Sequence, residues 1–177
     1  MKPETLSSQE IYKGKIFEVR NDRIREDGKE YERTIVVHPG SAVIVPVFDD
    51  LTVALVRQYR HPAGKYLLEI PAGGIETGED PKAGAIRELE EEIGVVAEKV
   101  ELMTEFYVSP GFLSEKMFVY LATGLTETAQ DLDEDENIEV VRLSLADARD
   151  LALTGHIEDA KTIIGVLMAV KKLGIGS

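Results

Sequence analysis

The chain has 177 residues, with 20 Lys and Arg against 33 Asp and Glu, which gives a formal net charge of −13. This length suits one domain and is sufficient to bury a sizeable core. The acidic balance argues against a nucleic-acid or anionic-membrane surface, because both require clustered Lys and Arg. The chain has no Cys, which excludes disulfides and thiolate sites. With no long apolar run and a polar N-terminus, we expect a cytoplasmic protein.

The acidic residues are concentrated in two short segments. Glu76–Glu92 contains seven of them and Asp131–Glu136 contains five. Crowded carboxylates repel one another unless water or a cation neutralises their charge. The two segments are therefore either fully solvated or candidates for a cation site.

The chain up to Gly78 is predicted to consist mainly of strands. Asp27-Gly28-Lys29 is a hairpin turn signal, and the apolar, β-branched run that begins at Ser41 indicates a buried strand. The predicted strands are Ile11–Arg25, Tyr31–His38, Ser41–Phe48, Leu51–Tyr59 and Tyr66–Ile70, followed by a loop over Ala72–Gly78.

The remainder alternates helices and strands. Asp80-Pro81 indicates the start of a helix and Gly94 its end. Further strands are predicted at Val95–Phe106, Lys116–Thr123 and Ile138–Leu143, further helices at Leu145–Leu153 and Asp159–Leu173, and loops at Ser109–Gly111 and Gln130–Asn137. Hairpins followed by interspersed helices indicate an α/β fold with a mixed sheet flanked by helices.

The helix after Asp80 carries side-by-side carboxylates. At helical spacing, Glu88, Glu91 and Glu92 share one face, away from the apolar face that includes Ala85 and Leu89. Such charges destabilise the C-terminal half of a helix. A hard divalent cation such as Mg²⁺ or Mn²⁺ would remove this penalty, and Arg87 could orient a carboxylate. The alternative is an ordinary solvated acidic helix face.

A longer pattern around this helix decides between the two. Gly73 to Val95 resembles the Nudix box, GX5EX7REUXEEXGU with U aliphatic, at every defined position, including Glu79, Arg87-Glu88 and Glu91-Glu92. The resemblance implies divalent-metal-dependent hydrolysis of nucleoside diphosphates linked to another moiety. It also implies an α/β/α sandwich around a mixed sheet, which agrees with the predicted elements.

Three further segments resemble the ADP-ribose pyrophosphatase branch of that family. They are Val56–Arg60 leading to Glu69–Gly73, then Ser109-Pro110-Gly111, and finally the acidic segment Leu132–Glu136 with Asp159–Thr162. The implied reaction converts ADP-ribose to AMP and ribose 5-phosphate. The alternatives are a broader nucleotide-sugar diphosphatase, of the ADP-glucose or GDP-mannose type, and a non-catalytic Nudix-fold nucleotide-binding regulator.

The resemblance also implies roles for individual residues. The metal ligands would be the backbone carbonyl of Ala72, with Glu88 and Glu92, and Glu91 as a secondary ligand; Arg87 and Glu91 count among the catalytic residues. The general base would be Glu134, with Glu136 as a metal ligand or rival base and Glu115 as a second rival. The expected substrate-binding residues are Arg60, Arg33, Glu69, Gly74, Ser109, Pro110, Gly111, Glu115, Lys15 and Ile16.

The resemblance extends to domain organisation and assembly. Residues 1–40 would form an N-terminal antiparallel β-hairpin region that makes dimer and substrate contacts, and residues 41–177 the Nudix hydrolase domain. The chain would form a homodimer that exchanges this region. Its partner would be a small nucleotide-sugar substrate, with no role for nucleic acid or membrane.

Overall fold

A computed structural model describes residues 2–132 and 137–175. The first three strands, β1 (Glu4–Lys13), β2 (Glu18–Glu26) and β3 (Lys29–Val37), form an antiparallel sheet. The single strand predicted over Ile11–Arg25 is therefore wrong. The chain reverses at Gly14, whose N–H donates to the carbonyl of Phe17 at 2.9 Å. Most β1 side chains are exposed, so no buried face imposes the alternation that marks a strand.

In the described part of the chain, seven further strands form two sheets. They are β4 (Ser41–Pro46), β5 (Thr52–Arg60), β6 (Lys65–Glu69), β7 (Ala72–Gly74), β8 (Val95–Tyr107), β9 (Lys116–Glu127) and β10 (Ile138–Ser144). One sheet has the order β7-β4-β9-β8 and is mixed, because β4 and β9 are parallel. The other has the order β10-β5-β6 and is antiparallel.

Helices cover both faces of the mixed sheet. They are α1 (Pro81–Glu88), α2 (Leu145–Leu153) and α3 (Ala160–Leu173). Alternate residues of β4 define the two faces, because successive side chains of a strand point to opposite sides. Val43 and Val45 pack in the cluster that contains residues of α2 and α3, whereas Ile44 packs in the cluster that contains Ala85 and Leu89. The predicted α/β/α sandwich is confirmed.

Local capping signals predicted the helices well. Asp80 accepts hydrogen bonds from the N–H groups of Lys82 and Ala83, and Gly94 ends the helix with a φ of 70°. The loop predicted over Ala72–Gly78 is only partly correct, because its first three residues pair with β4 as β7. Among the described residues, no helix is both long and apolar enough to cross a membrane.

The loop between β8 and β9 is joined to the N-terminal sheet by backbone hydrogen bonds. The N–H of Val36 on β3 donates to the carbonyl of Phe112 at 2.8 Å, and the N–H of Ser114 donates to the carbonyl of Val36 at 3.0 Å. These bonds fix the chain that leads into β9. They place Glu115 at the junction of the two sheets, beside the start of β4.

Candidate active site

Two glutamates of the helical segment converge on the backbone of β7. Glu88 and Glu92 are only 7% and 4% exposed, which is unusual for carboxylates. Glu92 Oε2 accepts a hydrogen bond from the N–H of Ala72 at 3.2 Å. The Glu88 carboxylate lies against Gly73, and a β-carbon at that position would overlap it. A residue without a side chain is therefore needed for this close approach.

The helix that carries these glutamates does not keep α-helical geometry to its end. After Glu88 it widens into a π-helical turn over Leu89–Ile93, in which Leu89 and Glu92 are buried and Glu90 is exposed. Such turns occur frequently at functional sites. The sequence pattern, which assumes 3.6 residues per turn, could not predict this feature.

Arg87 holds the acidic side chains together. Its guanidinium lies 2.6 Å from Glu88 Oε1, 2.8 Å from Glu91 Oε2 and 3.3 Å from Glu79 Oε1, and it also donates to the carbonyl of Gly74 at 3.3 Å. Burial by itself would lower the pKa of Arg87, but these acidic neighbours outweigh burial and raise it. Arg87 is therefore a permanent cation in this site.

The donor set around Gly73 fits a hard divalent cation. Within residues 2–132 and 137–175, no three acidic or His side chains alone form a metal-binding group. The resemblance to the Nudix box implies a site that would combine Glu88 and Glu92 with the backbone oxygen of Ala72. These are oxygen donors of the kind that Mg²⁺ and Mn²⁺ prefer. Because one guanidinium is shared by three carboxylates, a divalent cation would also relieve their mutual repulsion.

A second cluster lies at the end of β6. Arg60 binds Glu69 through two hydrogen bonds, Nε to Oε1 at 2.7 Å and Nη2 to Oε2 at 2.8 Å. Glu69 also forms a buried ion pair with Lys161 of α3. Burial favours the neutral acid, yet the hydrogen bonds from Arg60 and the charge of Lys161 lower the pKa of Glu69. Sequence reasoning did not single out Lys161, although it lies within the Asp159–Thr162 segment.

Glu115 is held beside the first residues of β4 and β9. Ser41 Oγ donates to Glu115 Oε1 at 2.6 Å, and His38 Nδ1 lies 3.9 Å from the same oxygen. Ser41 pairs in register with Gly74, whose carbonyl accepts from Arg87. The start of β4 thus links Glu115 to the Arg87 cluster. The sequence pattern assigned no catalytic role to His38 and placed Ser41 only at the start of a buried strand.

The remaining sequence-predicted residues fall into three groups. Ser109, with Pro110 and Gly111, forms a turn in which the carbonyl of Ser109 accepts from the N–H of Leu113 at 3.0 Å. Lys15 and Ile16 lie in the turn between β1 and β2. Arg33 lies on β3, where its guanidinium covers the ring of Tyr31. These last three lie in the N-terminal sheet or in its first turn. Glu134 and Glu136 lie outside the described residues.

Comparison with known proteins agrees with this architecture. Residues 38–164, well over half of the chain, match the NUDIX domain. ADP-ribose pyrophosphatase of Bacillus subtilis (strain 168) is 38% identical over 169 residues, which cover 94% of this chain and 91% of that protein. Methanol dehydrogenase activator of Bacillus methanolicus is 38% identical over 166 residues, or 92% and 90%.

The structural comparison covers the whole fold, including the N-terminal sheet. The crystal structure of an ADP compounds hydrolase superposes with a TM-score of 0.83 at 26% identity, covering 99% of this chain and 97% of that one. Nudix hydrolases generally use divalent metals, as the oxygen donors around Gly73 would allow. The chain, with a complete Nudix box on its loop and helix, belongs to the Nudix family.

Proposed function

We propose that this protein hydrolyses the diphosphate of ADP-ribose to AMP and ribose 5-phosphate, with Mg²⁺ as its cofactor and Mn²⁺ as the alternative ion. The observation that carries the proposal is the convergence of buried Glu88 and Glu92 on the backbone of Ala72 and Gly73. The similarity to an ADP-ribose pyrophosphatase, which spans nearly the full length of both chains, supports the choice of substrate.

The residues around Gly73 would hold the ion. We assign the ligands as the carbonyl of Ala72 and the carboxylates of Glu88 and Glu92, with Glu91 as a secondary ligand. When bound, the ion would acidify a water molecule and neutralise charge that develops on the phosphate. Arg87 orients Glu88 and Glu91 through the ion pairs described above.

The reaction adds water to one phosphorus and breaks the bridging P–O bond of the diphosphate. We assign removal of the water's proton to Glu134, with Glu136 as a metal ligand or rival base and Glu115 as a second rival. Arg60 is proposed to contact the diphosphate, because a guanidinium binds phosphate through paired hydrogen bonds. Glu69 supports Arg60, and Glu115, Gly74 and the Ser109–Gly111 turn would contact the ribose end.

We also propose that the protein is a homodimer joined through its N-terminal sheet. Support comes from large apolar side chains that this sheet exposes: Ile11, Tyr12, Ile16 and Phe17. Residues 1–40 would act as the dimer and substrate-contact region and 41–177 as the catalytic domain. Lys15 and Ile16 would contact the adenine, and Arg33, like Arg60, would contact the diphosphate and terminal ribose. The cysteine-free composition supports a cytoplasmic location.

One panel assay tests the reaction and its substrate. The purified chain would be incubated with ADP-ribose, ADP-glucose, GDP-mannose and dinucleoside polyphosphates, with and without Mg²⁺, and the nucleotide products separated by chromatography. We expect AMP from ADP-ribose at the highest kcat/KM, only with the metal. Preference for a sugar other than ribose would favour the broader nucleotide-sugar diphosphatase. Absence of cleavage of every compound would overturn the enzymatic proposal.

A second candidate function has one observation in its favour. The relative from Bacillus methanolicus, which is as similar to this chain as the ADP-ribose pyrophosphatase is, is named as an activator of methanol dehydrogenase. That name describes an effect on another enzyme. The non-catalytic regulator would bind nucleotide without turnover. It is distinguished by measurable binding of ADP-ribose with no release of AMP in the same assay.

A further inference from the structure

A single buried carboxylate is shared by two cations at the end of β6. Glu69 is 1% exposed, and its oxygens accept two hydrogen bonds from Arg60 and one from Lys161. Lys161 is itself only 8% exposed. A buried Lys requires a specific ionic partner, because desolvation strongly disfavours its charge. The pairing with Glu69 is therefore a built feature of the fold.

The first turn of α3 holds this pair in position. Asp159 caps the helix by accepting from the N–H of Thr162 at 3.0 Å, and it lies 3.1 Å from Lys161 Nζ. The hydroxyl of Thr162 accepts from the N–H of Ile70 at 2.8 Å. Residue 70 lies two positions before Ala72, so α3 anchors both Glu69 and the chain that leads into the proposed metal site.

The two cations differ in their access to solvent. The side chain of Arg60 is 40% exposed, although Nε and Nη2 are fixed on Glu69. An anion can therefore reach the guanidinium of Arg60. Lys161, by contrast, is only 8% exposed, and its Nζ is paired with Glu69 and Asp159, so it is not available to a substrate.

Arg60 is surrounded by negative charge, which the cation of Lys161 partly neutralises. The carboxylates of Glu69, Glu92 and Asp159 all act on its guanidinium and help to raise the pKa of Arg60. This much negative charge would repel a diphosphate. Lys161 contacts two of the three carboxylates and offsets part of that repulsion.

We propose that Lys161 is a positioning residue for substrate binding: by neutralising Glu69 and Asp159 it keeps Arg60 oriented and electrostatically available to a diphosphate. The inference rests on the proposed function in one respect, namely that Arg60 contacts the diphosphate. Lys161 acts only through Glu69 and Arg60 and touches no substrate. It should therefore affect substrate affinity far more than the chemical step.

Two substitutions separate the charge of Lys161 from its hydrogen bond. Lys161→Met removes both, whereas Lys161→Gln retains a donor for Glu69 and removes only the charge. The matched control is Lys65→Met. Lys65 lies at the start of β6 and, like Lys161, pairs with a carboxylate at the start of the α3 region, but its pair with Glu158 is at the surface. Each variant is made alone and in combination with Arg60→Gln. KM and kcat are then measured for ADP-ribose with Mg²⁺.

We expect both Lys161 variants to raise KM about tenfold while kcat changes less than about threefold. In the Arg60→Gln background, loss of Lys161 should raise KM no further, because the effect passes through Arg60. Lys65→Met should have the KM of the wild type. If Lys161→Met does not fold, Lys161→Gln decides. A wild-type KM in the Lys161 variants, or an equal rise in KM without Arg60, would overturn the inference.

A binding measurement keeps this test separate from the proposed function. The dissociation constant of ADP is measured by calorimetry in the presence of Mg²⁺ for the wild type, Lys161→Gln and Lys65→Met. We expect weaker binding only in the Lys161 variant, whether or not the wild type cleaves ADP-ribose. Absence of cleavage by the wild type overturns the proposed function, while equal ADP affinity in all three proteins overturns the role of Lys161.

Discussion

The carboxylate of Glu88 lies so close to Gly73 that a β-carbon at position 73 would overlap Glu88 Oε1. The obstructing group is the end of a side chain, so it can move aside without disturbing the backbone. A larger residue at position 73 would therefore displace the carboxylate and leave the fold intact. This contact gives a chemical reason for the glycine at the first position of the box in this chain.

The Gly73→Ala variant should reduce metal affinity and turnover by about 10- to 100-fold, because its β-carbon would push the Glu88 carboxylate out of position. Changes that disturb the orientation of a metal ligand usually have effects of this size. Its melting temperature without metal should stay near that of the wild type. Gly74→Ala is the control for metal affinity, since its β-carbon would enter open space. Calorimetric titration with Mn²⁺ measures the affinity, and wild-type affinity in Gly73→Ala would contradict the assigned site.

Metal binding should also stabilise the folded protein. A ligand that binds only the native state at 100 times its dissociation constant adds about 2.7 kcal/mol to the free energy of unfolding. Mg²⁺ should therefore raise the urea midpoint of the wild type and of Glu90→Gln, whose exposed side chain lies in the same turn. Glu92→Gln should lose this response. An equal response in all three proteins would remove Glu92 from the ligand set.

Acid should weaken the cluster around Glu69. Burial alone would raise the pKa of Glu69, but hydrogen bonds from Arg60 and the charge of Lys161 lower it below its usual value near 4.5. A lowered pKa means that the folded state favours the ionised form. Its contribution to stability is thus complete above that usual value and is lost as the pH falls through the folded pKa.

This pH dependence can be isolated by substitution. Glu69→Gln should be less stable than the wild type at pH 7, and the difference in the free energy of unfolding should shrink as the pH is lowered toward about 3. Urea unfolding at a series of pH values measures the difference. A difference that stays constant over this range would show that ionisation of Glu69 does not stabilise the fold.

The loop and helix of the site could be predicted because their signals are local. Asp80, Pro81 and Gly94 mark the ends of the helix through capping and backbone geometry, and the spacing of the glutamates identifies the family. The wider turn over Leu89–Ile93 could not be predicted, because the pattern assumes uniform helical spacing. Local sequence patterns also correctly predicted helices α2 and α3.

Contacts between residues that are far apart in the sequence could not be predicted. Glu69 and Lys161 are 92 positions apart, and no periodicity indicates that they meet. The contact depends on how α3 packs against the end of β6. The division between β1 and β2 was missed for another reason: the N-terminal sheet is largely exposed in this chain, so its sequence carries little of the alternation that a buried face requires.

The identity of the base can be tested by matched amide substitutions in the second acidic segment. Glu134→Gln should reduce kcat by about 10²- to 10⁴-fold, the usual contribution of a general base, with little change in metal affinity. Glu136→Gln and Glu115→Gln are made in parallel. Near-normal turnover in Glu134→Gln would transfer the role to whichever of the other two variants loses activity.

The exposed apolar residues of the N-terminal sheet predict a self-association surface. Ile16 is 65% exposed, and the rings of Tyr12 and Phe17 lie 5.9 Å apart at the same end of the sheet. Exposed apolar groups clustered in this way favour burial against another molecule. We expect the wild type to sediment at about twice its chain mass of 19.5 kDa.

Ile16→Asp should convert the dimer to a monomer, because it would place a charge in the proposed interface. Leu153→Asp is the control, since Leu153 is comparably exposed at the end of α2. If the partner subunit contributes to the adenosine site, the monomer should show a raised KM for ADP-ribose while the control keeps the KM of the wild type. A monomeric wild type at micromolar concentration would contradict both the dimer and the shared site.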